Sequence, residues 1–256
     1  MINIPVLVTA PEGYAQRFVD ALLSASDDTL TFQPLSVPMI QTASADGIAA
    51  FVAEMSRFDY VVFTSRKAIT SLAEYLSTHP TSASLPLAAA IGNDNSALEL
   101  LGVKPAFIAC EPSLMGIAKD IPLDSKVAVL GPQLIDLVEP ETVPNFLTVL
   151  KLRHMEVSFY NAYTTYPSPN EVLSQATAWL SEGGERWVAF TSATEAQVYR
   201  RICPEGATPH IVCFGPYTAH CISKEGIRTE FTSPDFSSFT AFAQNLRKEL
   251  LSNSKL

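Results

Sequence analysis

The chain has 256 residues, 47% hydrophobic and 17% charged, with 17 Lys plus Arg against 26 Asp plus Glu and a formal net charge of −9. That length can bury a full core, and 11 Gly and 18 Pro in an ordinary mixture exclude collagen, low-complexity and coiled-coil chains. The acidic balance disfavours nucleic acid and anionic membrane surfaces as partners, since both demand a basic face.

Short apolar runs predict strands at Val6–Thr9, Tyr60–Phe63, Leu87–Ile91, Val127–Leu130, Val157–Tyr160, Trp187–Phe190 and Ile211–Phe214. None alternates cleanly with polar residues, which suits strands covered on both faces, as in parallel sheets. Helical patterns lie between them. The clearest is the last, where Phe239, Phe242, Leu246 and Leu250 follow a start at Ser233–Asp235. Alternating strands and helices predict an α/β fold with right-handed crossovers. The opening MINIPVLVTAP reads as a buried first strand rather than a signal peptide. No apolar run approaches the roughly 18 residues of a membrane span. Cys110, Cys203, Cys213 and Cys221 form no CxxC pair, so the expected setting is reducing: cytoplasmic, or the stroma of a plastid.

The chain resembles itself. Val6–Pro11 is similar to Val127–Pro132 at an offset of 121, Val62–Ser65 to Ala189–Ser192 at 127, and Ile91-Gly92 to Phe214-Gly215 at 123, the last two pairs each followed by a predicted helix. Three matches in order predict a duplicated unit and two similar domains. Pro-bearing stretches at Gln33–Gln41 and Tyr163–Asn170 are the candidate linkers.

Three motifs could carry chemistry. Phe-Thr-Ser occurs twice at a strand-to-helix turn, placing Thr64, Ser65, Thr191 and Ser192 at strand carboxyl ends, where ligands of parallel sheets collect. A Ser or Thr there either caps its helix or shares in an anion site made by the first-turn amides. Gly215-Pro-Tyr-Thr-Ala219, with Gly226 downstream, matches Gly92-Asn-Asp-Asn-Ser96 with Gly102 downstream, and the amides of Tyr217 and Thr218 could hold a carboxylate or phosphate. Tyr163, in Tyr160-Asn-Ala-Tyr163-Thr-Thr-Tyr166-Pro167, is either a strand-end aromatic packing a hinge or a proton donor. Arg66-Lys67 is a surface basic pair or an anion contact. No nucleotide-loop, GxSxG or metal-ligand spacing occurs. A pair of signalling domains would need an acidic pair after the first strand, and none follows.

The ordered set VxVT, D-Y-V-V-F-T-S, I-G-x-x-N, Y-x-T-x-P, F-T-S and G-P-x-T-A resembles the uroporphyrinogen-III synthase family over essentially the full chain. The resemblance implies two flavodoxin-like α/β domains with parallel sheets, interleaved and joined by a two-stranded linker. Residues 1–34 with 168–256 would form one, 42–162 the other, and about 35–41 and 163–167 the linkers. It implies a cofactor-independent, metal-free lyase that cyclises hydroxymethylbilane with loss of water and inversion of the last pyrrole ring. The expected partner is a linear tetrapyrrole, handed over by hydroxymethylbilane synthase to a monomer. Tyr163 matches the family tyrosine and is the expected acid. Thr64, Ser65, Arg66, Asn95, Ser96, Thr191, Ser192, Ala193, Gly215, Tyr217 and Thr218 are the expected substrate contacts. The chain departs from the family at Ala10, where arginine is usual after Thr9, and at Gln133, where Gly-Arg-Glu is usual after Gly131-Pro132. The alternative reading is a non-catalytic two-domain binding module for a small anionic ligand.

Overall fold

The computed structural model describes residues 1–236 and 238–253. In chain order come β1 (Ile2–Val8), α1 (Glu12–Ser24), β2 (Leu30–Ser36), β3 (Ile40–Ser44), α2 (Gly47–Glu54), β4 (Tyr60–Phe63), α3 (Arg66–Thr78) and β5 (Leu87–Ala90). A 3-10 helix, Gly92–Leu101, follows, then α4 (Leu114–Asp120), β6 (Lys126–Leu134), α5 (Thr142–Leu152) and β7 (Glu156–Pro167). The rest holds α6 (Asn170–Ser181), β8 (Trp187–Phe190), α7 (Ala193–Ile202), β9 (His210–Cys213), α8 (Pro216–Lys224), β10 (Phe231–Thr232) and α9 (Phe239–Asn253). Among the described residues no helix is long and apolar enough to cross a membrane.

The chain divides into two compact units. One comprises Met1–Gln41, Asp136–Val138 and Tyr166–Leu256; the other comprises Thr42–Ile135 and Glu139–Thr165. The first carries the sheet β10-β9-β8-β1-β2, parallel at each of its pairings. Each face is buried, which is why its strands lack polar alternation. Val6, Val8, Trp187 and Ala189 point to one layer with Phe18 of α1 and Phe242 of α9, while Leu7, Val188 and Phe190 point to the other with Leu173 of α6 and Ala196 of α7. Phe18 stacks on Phe239 at 4.8 Å and meets Phe242 edge-on at 5.0 Å, which fixes α9 against α1.

The second unit carries the sheet β3-β7-β6-β4-β5. Here Val61, Phe63, Ala128 and Leu130 face Phe51 of α2 and Leu72 of α3, whereas Val62, Val127 and Val129 face Ile117 of α4 and Phe146 of α5. The run β9-β8-β1-β2 in the first sheet corresponds to β5-β4-β6-β7 in the second, strand for strand at the repeat offset. The register is kept as well. Val62 lies opposite Val129, and their repeat counterparts Ala189 and Val8 lie opposite each other.

One candidate linker holds strand at both of its ends, and one expected helix start moves. The stretch Gln33–Gln41 contains the end of β2 and the start of β3. Pro34 sits inside β2, paired with Val6. A proline cannot donate to a ladder, but β2 is an edge strand and needs donors on one side only. The last helix starts at Phe239, not at Ser233–Asp235. Phe231-Thr232 are taken up by β10, and the Ser238 hydroxyl caps the helix by accepting from the Ala241 amide at 3.1 Å.

Candidate active site

The expected site residues fall into one group in each unit. In the second unit, β4 ends at Phe63 and α3 starts at Arg66, with Thr64 and Ser65 between them. Ser65 is the N-cap; its hydroxyl accepts from the Ala68 amide at 3.3 Å. The same hydroxyl lies 2.9 Å from the Tyr163 phenol oxygen. The Thr64 hydroxyl is buried and has no hydrogen-bond partner, an orphan beside this pair.

Tyr163 reaches Ser65 because of an irregularity in β7. Gly131 pairs with Asn161 but Pro132 pairs with Tyr163, so Ala162 is an extra residue on β7. Alternation along a strand would send Tyr160 and Tyr163 to opposite faces. The bulge restores Tyr163 to the face holding Tyr160 and Ala162, against Phe63 and Ala68. Burial, above all, pushes the Tyr163 phenol up to about 12, while the Ser65 hydrogen bond works the other way and the carboxylates of Glu139 and Asp94 add to the rise. The phenol is therefore protonated at neutral pH and can donate.

Arg66, at the first position of α3, is held by the 3-10 helix after β5. Its Nε donates to Asp94 at 3.1 Å, and its terminal nitrogen donates to the Asn93 carbonyl at 3.0 Å and to Ser96 at 3.2 Å. Arg66 and Ser96 thus belong to one cluster, with Asp94 as a partner that sequence reading did not assign. Asn95 turns inward: its amide donates to the Gly92 carbonyl at 2.9 Å, leaving its Oδ1 buried without a partner. The residues after Gly92 wind as a 3-10 helix ending at Gly102, which has the left-handed φ of 67° that glycine adopts without strain.

In the first unit, Thr191 and Ser192 stand between β8 and α7, and Gly215 caps α8 with Pro216 at its first position. The Thr218 hydroxyl, buried, donates to the Thr191 carbonyl at 3.2 Å and ties the two turns together. Tyr217 is exposed and Ala193 is buried in the first turn of α7.

Sequence reading missed Glu195, which is 0% exposed. Its Oε1 accepts from Thr191 Oγ1 at 2.5 Å and Ser192 Oγ at 2.9 Å. Its Oε2 accepts from the Thr191 amide at 2.8 Å and lies 2.7 Å from Thr9 Oγ1 of the segment after β1. The available signal was the capping-box spacing Ser192-Ala-Thr-Glu195. The Glu195 side chain bonds the amide one residue earlier than that motif requires, and it also reaches a residue 186 positions away. The hydroxyl protons of Thr191 and Ser192 are directed at this acid, so those side chains are not free donors.

Burial pushes the Glu195 acid above the usual carboxylate range, and its four donors offset that only in part. The neutral form fits the site: Thr9 can accept the acid proton and give its own to the Ala189 carbonyl, 2.8 Å away. A raised folded value means that the folded chain holds this proton more tightly than the unfolded chain. The contribution to stability is complete below the unfolded value and is lost as pH rises through the folded one. Denaturant midpoints of the native chain should fall as pH rises above the ordinary glutamate range, and Glu195→Gln should flatten that slope. Identical slopes in both proteins would show that Glu195 does not titrate there. Cys213, which Glu195 also influences, is pushed to about 12 by burial and stays neutral throughout.

A family model described as uroporphyrinogen-III synthase HemD matches residues 23–242. Among solved structures, a methionine-substituted uroporphyrinogen III synthase from the extremely thermophilic bacterium Thermus thermophilus is similar with a TM-score of 0.65 and 16% identity, covering 97% of this chain and 99% of that one. Uroporphyrinogen-III synthetase from Helicobacter pylori is similar with a TM-score of 0.58 and 14% identity, covering 98% and 100%. At these identities the structural likeness is one of fold. No curated protein matches the chain.

Proposed function

The chain belongs to the uroporphyrinogen-III synthase family, and on that premise we propose that it cyclises hydroxymethylbilane to uroporphyrinogen III. The observation that carries the reading is the family match across residues 23–242, which includes the repeated turns of both units. The reaction breaks the carbon–oxygen bond of the terminal hydroxymethyl group and releases water. The electron-rich pyrrole supplies the electron pair that expels it, and an electrophilic azafulvene remains. Spontaneous closure joins the chain ends without inversion. The enzyme must instead direct attack by the substituted carbon of the last ring, through a spiro intermediate, before the macrocycle closes. That is control of conformation, achieved by binding one transition state better than its competitor.

The residues divide accordingly. Tyr163 donates its phenolic proton to the departing hydroxyl, and Ser65, 2.9 Å away, orients it. The donor's share is modest, because a phenol near 12 is a weak acid and the pyrrole nitrogen already expels the hydroxyl. The substrate is a polycarboxylate. Arg66, oriented by Asp94 and Ser96, and the first-turn amides of α3, α7 and α8 supply local positive potential in a chain of net charge −9. The same reading takes the substrate from hydroxymethylbilane synthase, keeps the chain a monomer, and sets it in the cytoplasm or a plastid stroma.

The test is to supply hydroxymethylbilane and separate the products by chromatography after oxidation. The III isomer, formed faster than the spontaneous reaction, is the expected result. Isomer I alone, at the spontaneous rate, would falsify the reading.

A further inference from the structure

Among the positions at which the two repeated turns differ, two buried ones change together. At the repeat offset, Thr9 corresponds to Leu130 and Glu195 to Ala68. In the second unit both are apolar and fully buried, and the Thr64 hydroxyl beside them has no partner. In the first unit both are polar and fully buried, and the Thr191 hydroxyl, the counterpart of Thr64, is bonded to Glu195 at 2.5 Å. The turn itself does not need an acid. Helix α3 starts after an equivalent Phe-Thr-Ser with Ser65 as its cap and Ala68 three residues on. Burying a carboxyl is unfavourable unless its partners compensate. Its presence in one copy alone therefore points to something the first-unit turn does and the second does not.

The geometry points to Glu195 as the positioning residue of the Thr191–Ser192 turn: it takes both hydroxyls, the Thr191 amide and the Thr9 hydroxyl as partners and leaves a rigid anion seat of backbone amides for a carboxylate arm of the tetrapyrrole. This role rests on the proposed function and on the turn that opens α7 facing the substrate. With their protons turned to Glu195, the two hydroxyls present only lone pairs elsewhere, and a carboxylate avoids lone pairs. The amides of Ala193 and Thr194, ahead of the first intrahelical acceptors, are then the donors that remain. Thr218, bonded to the Thr191 carbonyl, braces the same turn from α8. Proton delivery stays with Ser65 and Tyr163 in the second unit, so the two copies of one motif have separate tasks.

A seat held in place by Glu195 affects substrate binding more than the chemical step. Glu195→Ala, checked for folding by circular dichroism, is expected to raise KM for hydroxymethylbilane about tenfold with kcat within about threefold of the native value. Glu195→Gln is uncharged; it keeps an oxygen that accepts from the Thr191 amide and Thr9, and its amide nitrogen donates to the two hydroxyl oxygens, which holds the turn with those two bonds reversed. It should bring KM back to within about threefold. Thr191→Val added to Glu195→Ala should cost less than about a further twofold, since that hydroxyl acts through the acid. A folded Glu195→Ala protein with native KM, or a Thr191→Val effect that is fully additive, rejects the role. Should Glu195→Ala not fold, Thr9→Val removes only one partner of the acid and should raise KM about threefold; an unchanged KM rejects the role equally. Native protein that makes isomer III while these variants bind normally overturns the positioning role alone. Native protein that makes only isomer I overturns the function and this role with it.

Discussion

Tyr163→Phe is expected to lower kcat about 10- to 100-fold while leaving KM and the fold close to native, because general-acid groups contribute at most a few orders of magnitude and this one is a weak acid. The substitution deletes one oxygen. The ring remains in the layer formed with Phe63, Ala68 and Tyr160. Ser65 loses its 2.9 Å partner but keeps its bond to the Ala68 amide, so α3 stays capped. The stability cost should be about 1 kcal/mol, that of one ordinary hydrogen bond. Product from the variant should still be mainly isomer III, since ring inversion depends on how the substrate is held and not on who protonates the leaving group. Stopped-flow or quenched kinetics with product separation would decide. Native turnover would remove the donor role from Tyr163, and a shift to isomer I would show that the ring holds the substrate rather than protonating it.

Gly47→Ala should destabilise the second unit by about 3 kcal/mol, the upper part of the range for overpacking. Gly47 opens α2, and a β-carbon there would stand 2.4 Å from the Asn161 carbonyl oxygen and 2.6 Å from its nitrogen. Those are backbone atoms of β7, held in the sheet, and they cannot rotate aside as a side chain would. Asn161 also precedes Ala162, the extra residue that turns Tyr163 toward Ser65. The strain therefore falls on the segment that aims the candidate acid, and activity should drop along with the urea midpoint. Gly13→Ala is the control. It lies within α1 with open space around its would-be β-carbon, so it should be neutral or stabilise by up to about 1 kcal/mol. If the two substitutions have equal effects on the midpoint, the close approach of α2 to β7 is not what stabilises this region.

Much of the fold was legible along the chain because its signals are local. Runs such as Tyr60–Phe63 and Trp187–Phe190 are apolar on both sides, which only a strand covered twice can satisfy. Both Phe-Thr-Ser turns open helices as read, with Ser65 and Ser192 as caps. Strand β2 was hidden because Pro34 reads as a breaker unless its edge position is known. The start of α9 was misplaced because Ser-Pro-Asp and Ser238 are rival caps, and pairing of Phe231-Thr232 with β9 decides between them.

The sequence by itself determined the α/β class, the duplication, and the order of motifs that marks the family, since each depends on residue type and spacing over a few positions. Tertiary structure decided which side chains act. Tyr163 faces Ser65 only because one extra residue in β7 reverses its side. Glu195 became a buried hub only when β1 and β8 paired and brought Thr9 across 186 positions to meet it. Strand register, and the distant side chains it brings together, are properties of the assembled sheet, and no local pattern encodes them.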